Sequence, residues 1–314
     1  MFNTLVEQAS RQKSSSWKRR LVPWILLTPG AAAVLITLGY PLVRQVLMSF
    51  QKYGLKQQFG APAEWVGLEN YRTILTDSYF WMVFFKSIAF CAWTAGITML
   101  LGISLSMLML RLNKVVRTIF NTTLIVVWAM PALASLTVWQ WLVETRSGLL
   151  NYVLTSIGLH QFKNFNWLGS SYWSFYLVAS LVIIWASIPL VSITIYAALC
   201  QVPGDILEAS AIDGANAHQQ MRRIILPIIS PVIALIGVLQ LIWDLRVFTQ
   251  IYVLQQGGGI AEETNLLGTY VYQIGIAGGN YGVASALAMI ILLLTLLLTG
   301  KYLQMLLRQK DEKR

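Results

Sequence analysis

One acidic side chain lies deep inside an apolar run: Asp244, in Gln240-Leu-Ile-Trp243-Asp244-Leu-Arg246-Val-Phe248-Thr-Gln250-Ile-Tyr252. A charge near a bilayer centre costs about 2.5–3.5 kcal/mol on insertion scales, so such residues usually face a water-filled path. At helical spacing Gln240, Asp244 and Phe248 share one face. Arg246, two residues from Asp244, does not. A carboxylate and an amide for hydroxyls, with an aromatic ring for a pyranose face, suit a sugar. Trp243 and Trp185 lie deep enough to form a sugar-facing wall. Plainer uses stand beside these. Asp244 can pair with a basic residue on a neighbouring helix, Arg246 can snorkel outward, and the tryptophans can pack against lipid or helices.

A second stretch is polar in a built way. Residues 200–227 read Cys-Gln-Val-Pro-Gly-Asp-Ile-Leu-Glu-Ala-Ser-Ala-Ile-Asp-Gly-Ala-Asn-Ala-His-Gln-Gln-Met-Arg-Arg-Ile-Ile-Leu-Pro. Pro203-Gly204 stops what precedes it. Asp205 is placed to cap a helix, with Glu208 three residues on as a capping box requires. Gly214 suits the left-handed residue that ends a short helix. Asn216 and Gln219 repeat the capping spacing, and Leu226-Pro227 closes the stretch. The spacing therefore predicts two short helices bent at Asp213-Gly214. On spacing alone, a plain polar loop between membrane spans fits as well.

Other chemistry finds no residues to carry it. Thr299-Gly300-Lys301 lacks the first glycine and the terminal hydroxyl of a phosphate-binding loop. Cys91 and Cys200 have no Cys or His at metal-ligand spacing, so neither a disulfide framework nor a zinc site is expected. His160 and His218 stand alone. A membrane enzyme would need His, Asp or Glu clustered on one side, and no such cluster is visible.

The elements that hold these residues are apolar. Of 314 residues 56% are hydrophobic and 11% charged, against roughly 25% charged in ordinary globular domains. The net charge of +10 sits at the ends of apolar runs, which argues against a nucleic-acid partner. The expected class is all-α: a polytopic membrane protein with six spans over about 22–44, 87–110, 118–142, 173–199, 228–253 and 281–303. A basic tail (1–20) and a second one (305–314) flank the 21–304 membrane domain. The uncharged run Leu21–Val43 is too long for a cleaved signal and reads as a retained first span. Pro29-Gly30 and Tyr40-Pro41 are expected kinks in it, and Pro131 a kink near the middle of the third span. Residues 51–80, 143–172 and the Gly-rich 254–280 read as polar connections. No internal repeat is visible.

With the N-terminus inside, the inside segments hold 15 Lys and Arg and the outside segments six. That bias obeys the positive-inside rule. It puts both termini and residues 200–227 in the cytoplasm.

Residues 200–227 resemble the EAA loop of ABC importer permeases. Glu208-Ala209-Ser210, Asp213-Gly214-Ala215 and Leu226-Pro227 match its Glu-Ala-Ala, Asp-Gly-Ala and Leu-Pro. Ser210 stands where that family usually has Ala, and Met221 where an aromatic is common. Trp65-Val-Gly-Leu-Glu-Asn70-Tyr71 resembles the family's first external loop, and Tyr281-Gly282-Val-Ala-Ser-Ala286 its end pattern. Thr249, Gln255 and Gly259 depart from the usual Asp, Thr and Pro.

The likeness is to the carbohydrate-uptake class, which includes maltose and glycerol-phosphate importers. The resemblance implies a non-catalytic subunit in a prokaryotic plasma (inner) membrane, forming the path for a di- or oligosaccharide or a polyol phosphate. It implies a second permease chain, two cytoplasmic ATPase subunits and an external substrate-binding protein as partners. ATP and Mg are then bound by the ATPase, with no cofactor on this chain. It also implies that Glu208, Ala209, Asp213, Gly214, Ala215, Leu226 and Pro227 form the ATPase-coupling surface, the two acids fixing shape at helix termini. An ion-coupled secondary transporter using Asp244 is the alternative, although such proteins often show repeats and several buried charges.

Overall fold

The computed structural model describes residues 22–311. The tail expected over 1–20 lies outside the described residues. Helix α1 is Val22–Ser49. It widens to π geometry over Leu35–Gly39, just before Pro41. Proline lacks an N–H and crowds the carbonyl four residues back, and an extra residue in the preceding turn accommodates it. The helix is exposed along most of its length, and its last turns, Tyr40–Ser49, pack on the final helix of the chain.

A small hairpin follows, β1 (Gln51–Lys52) antiparallel to β2 (Glu64–Trp65), with α2 (Leu55–Gln58) between and α3 (Glu69–Thr76) after. Asn70 explains the Trp65–Tyr71 stretch. Its amide donates to the carbonyls of Ser49 and Gln51, each at 2.9 Å, and the Tyr71 hydroxyl donates to Ser49 Oγ at 2.8 Å. Gly282 N–H donates to the Tyr53 carbonyl at 2.8 Å. The two outlying motifs thus meet at one junction, where the end of α1 is fastened to the start of the last helix.

Helix α4, Ser78–Arg111, starts nine residues before the expected Ser87 and is capped by Asp77, which accepts from Tyr79 N–H at 2.9 Å. Lys86 is no boundary, because its ammonium donates to the Glu263 carbonyl at 2.6 Å. The third expected span, 118–142, is broken. Helices α5 (Lys114–Ala129) and α6 (Ala132–Leu142) meet at 97°. The residue before a proline is pushed out of helical geometry, and Met130 is extended at φ −67, ψ 129. Pro131 is therefore a corner rather than a kink.

After α7 (Leu149–Ser156), helix α8 covers Tyr172–Leu199, within a residue of expectation, capped by Ser171. Then come α9 (Gly204–Ile212), α10 (Ala217–Gln220) and α11 (Leu226–Leu245). Next are α12 (Thr249–Gln256), α13 (Ala261–Thr264), α14 (Leu267–Tyr272) and α15 (Tyr281–Asp311). The last helix runs into the segment expected to be a tail. Among the described residues five helices are long and apolar enough to cross a membrane, or six crossings if the bent pair α5–α6 counts as one.

Helices α4 and α8 form the central pair. A Cβ at Gly102 would stand 2.4 Å from Val191 Cγ1, and Thr94, Thr98 and Ser106 are fully buried beside it. Small side chains let membrane helices approach closely. Apolar clusters fill the bundle around this pair: Leu136, Phe175, Ile251 and Leu254; Phe80, Val83, Leu267 and Leu287; Val191, Ile195, Ile229 and Ile236. The 254–280 stretch, expected to be a polar connection, contributes buried Leu266 and Leu267. Its polar groups are satisfied internally: Gln255 donates to Thr264 Oγ1 and Asn265 Oδ1 at 3.1 and 3.2 Å, and Asn265 donates to the Tyr79 hydroxyl at 2.9 Å.

Candidate functional site

Residues 200–227 form a protruding loop of two short helices. Helix α9 starts at Gly204 with Pro203 as its N-cap, so Asp205 falls inside the first turn. The expected Asp205–Glu208 capping box does not form. Asp205 instead complements the helix dipole from within that turn. Glu208 sits in mid-helix rather than at a terminus, and Asp213 is the C-cap. Gly214, at φ +82, completes a Schellman end: Ala215 N–H donates to Ser210 O at 2.9 Å and Gly214 N–H to Ala211 O at 3.1 Å. The second capping box is present, with Asn216 and Gln219 exchanging bonds of 2.9 Å each.

Leu226-Pro227 does not close the stretch. Residues Met221–Ile225 adopt π geometry, Leu226 N–H reaches the Met221 carbonyl, and the helix continues as α11. As at Pro41, the widened turn admits the proline. One helical path therefore runs from Ala217 towards the membrane interior. Glu208, Ala209, Asp213, Gly214 and Pro227 are exposed, while Ala215 and Leu226 are half-buried. Ile212, not singled out from the sequence, is 87% exposed at the tip.

At the other end of that path α11 stops at Leu245, and Arg246 is its C-cap. Phe248 is non-helical at φ −130, ψ −60 and caps α12. The break removes Phe248 from the expected shared face. Gln240 and Asp244 do share one: the Gln240 amide donates to Asp244 Oδ1 at 2.9 Å, and Thr94 Oγ1 donates to Oδ2 at 2.8 Å from α4. Both are buried between helices, Gln240 at 1% and Asp244 at 4% exposure. The carboxylate's partners are neutral, not the basic residue considered as one alternative.

An edge of Asp244 reaches a cavity of about 370 Å³ together with Trp243, Arg246, Phe248 and Gln250. Arg246 also borders a cavity of about 330 Å³, and Phe248 one of about 520 Å³ that includes Arg44 and Tyr272. Phe248, Tyr252 and Tyr272 form an aromatic cluster with centroids 4.8–5.5 Å apart. Trp185 packs edge-on against Trp139 at 6.1 Å and is not brought into these linings. The sequence does not show that Tyr252 and Tyr272 meet, because helical spacing alone does not bring residues twenty apart together.

Residues 98–310 match the family described as the binding-protein-dependent transport system inner membrane component. This chain belongs to that family. The permease is 36% identical over 304 residues to the diacetylchitobiose uptake system permease protein DasB of Streptomyces coelicolor, covering 97% of this chain and 92% of that one. It is 29% identical to the sulfoquinovosyl glycerol transport system permease protein SmoG of Agrobacterium fabrum, covering 93% and 92% of the two chains. A bacterial alginate ABC transporter, solved with its pentasaccharide-bound periplasmic protein, has a chain of the same fold. The TM-score is 0.78 at 22% identity, with 92% of this chain and 94% of that one covered. The permease is thus a non-catalytic, multi-pass membrane subunit of an ABC importer.

In the permease, the Thr94–Asp244–Gln240 knot ties the last turn of α11 to α4 and so fixes where the break begins. Asp244→Leu strands the Gln240 amide in a buried site, which costs about 1–3 kcal/mol. The expected result is a lower melting temperature of the purified protein. Asp244→Asn keeps one acceptor and the shape, and is expected to retain most uptake. Loss of uptake in a well-folded Asp244→Asn protein would instead point to ion coupling at this carboxyl.

Proposed function

We propose that the permease forms one half of the translocation path of an ATP-driven importer and couples to its ATPase through residues 200–227. The cargo is a di- or oligosaccharide, or a polyol phosphate, delivered by an external binding protein. A second permease chain completes the path, and two ATPase subunits, holding ATP and Mg, dock on the cytoplasmic side.

The observation that carries the reading is a loop shaped with care but left unsatisfied. Asp213 occupies a helix C-cap, where the dipole disfavours an anion by about 0.3–1 kcal/mol. Among the described residues the side chains of Glu208 and Asp213 accept no hydrogen bond, and Ile212 stands almost wholly in solvent. The C-cap charge of Asp213 and the exposed Ile212 both become favourable against a partner surface of matching charge and shape. The positive-inside bias puts this loop where ATP is. The helical path from Ala217 to Leu245 supports transmission from loop to cavity, since a displacement of α10 is carried to the break at Arg246. The aromatic cluster supports a carbohydrate, because ring faces stack on pyranose rings. The two relatives named above transport diacetylchitobiose and sulfoquinovosyl glycerol by their own names.

Gly214 tests the docking role. Its φ of +82 is a conformation that costs an L-residue about 1–2 kcal/mol. Asn tolerates it best and a β-branched residue worst. Gly214→Val is expected to lose the ATPase on co-purification, and Gly214→Asn to retain most of it. Equal retention by both variants would count against a shape-dependent docking loop.

A further inference from the structure

We propose that Gln220 is a strut that makes the two helices of the loop move as one body with α11. The proposal rests on the docking reading and adds a positioning residue to it. The Gln220 amide donates to Ser210 Oγ at 2.9 Å and to the Leu207 carbonyl at 3.1 Å. Ser210 Oγ in turn donates to the Leu207 carbonyl at 2.7 Å. All three residues are half-buried.

The mechanical need for a strut follows from the lengths. Helix α9 has nine residues, below the roughly 12–15 that hold a helix together alone in water, whereas α10 is the first turn of the long path into α11. Between them the chain turns at Gly214, the residue with the most backbone freedom. Force applied to α9 by a docked partner would be lost as bending there. The Gln220 side chain closes a triangle across that hinge. Gln220 is also the last residue of α10, directly before the π segment that leads into α11. A push on α9 is therefore passed to the membrane helix, past its widened turn, to the break at Arg246.

Ser210 acquires a role in this arrangement. It stands where related loops usually carry Ala, and its hydroxyl is the acceptor that orients the Gln220 amide. Removing it by Ser210→Ala restores the usual small residue and raises helix propensity. Any effect then comes from the lost hydroxyl rather than from unfolding.

The test uses spin labels on the exposed positions Asp205→Cys and His218→Cys, in a Cys200→Ser background. The full-length permease is placed in lipid nanodiscs with its partner permease. The 205–218 distance is measured before and after ATPase addition, and again after trapping with Mg-ATP and vanadate. One narrow distance is expected in all states. Ser210→Ala is expected to raise the population of other loop conformers about fivefold, the worth of one hydrogen bond, and Gln220→Ala, which loses both of its bonds, by more. The double variant should go no further than Gln220→Ala, since the two act as one unit. Ser210→Thr keeps the hydroxyl and should keep the narrow distance. Unchanged distances in the Ala variants overturn the strut, as does a wild-type distance that shifts on trapping. Failure of docking itself is read separately, from ATPase retention by Gly214→Val.

Discussion

Ile212→Glu is expected to abolish retention of the ATPase while leaving the permease folded. The side chain is 87% exposed and ends a helix that turns immediately afterwards at Gly214. Nothing in the isolated chain depends on its burial, so the fold should not notice the change. The docked complex should. Where a protruding aliphatic side chain is a hot spot in a partner's pocket it contributes about 2 kcal/mol or more to binding, so its loss weakens association roughly 30-fold or beyond. A new carboxylate in that pocket adds a desolvation cost of several kcal/mol. Co-purification of the ATPase, with yield and melting temperature of the permease as controls, reads the result. A complex that survives Ile212→Glu would mean the tip of the loop faces water in the assembly.

Gly282→Ala is expected to be strongly damaging to the fold. A Cβ there would lie 2.3 Å from the Gln51 carbonyl oxygen and 3.2 Å from both the Asn70 amide and Tyr53 N. Two of these three neighbours are backbone and cannot swing aside. The junction must open, which separates the Gly282–Tyr53 hydrogen bond and the Asn70 clasp on Ser49 and Gln51. Overpacking of this kind typically costs 1–3 kcal/mol, and the lost bonds add about 1 kcal/mol each. The purified variant should melt well below wild type, with new protease sensitivity around residues 51–65. Gly237→Ala serves as the control, since its Cβ would meet only the end of Met99 at 3.6 Å. Equal melting of the two variants would show that the junction is looser than its geometry implies.

These residues also show how far the sequence alone marks the fold. Tyr172–Leu199 was readable almost to the residue, because an uncharged run ends in a polar Ser170-Ser171 cap on one side and Gln201 with Pro203 on the other. Lys86 misled because a charge looks like a boundary until a loop from elsewhere in the chain offers it a carbonyl. Pro131 was visible, but a kink and a 97° corner carry the same sequence mark. Pro227 misled the other way, because a widened turn can absorb a proline without ending the helix.

In the loop, Asn216–Gln219 behaved as its spacing required. Asp205–Glu208 did not, since Pro203 starts the helix early enough to move Asp205 past the cap position. Ile212 carried no signal at all: a lone apolar residue between Ala211 and Asp213 looks like a core position. Around Asp244 the pairing with Gln240 followed from helical spacing. The contact with Thr94, the break before Phe248 and the meeting of Tyr252 with Tyr272 are products of tertiary packing.

The measurement that bears most directly on the whole account is ATP hydrolysis by the reconstituted complex of this permease, its partner permease and the ATPase. The binding protein is added loaded in turn with di- and oligosaccharides and polyol phosphates. The account predicts that one loaded form raises hydrolysis and drives uptake, and that Ile212→Glu abolishes both. Uptake that persists in Ile212→Glu, needs no ATP, follows an ion gradient and is lost in Asp244→Asn would contradict it.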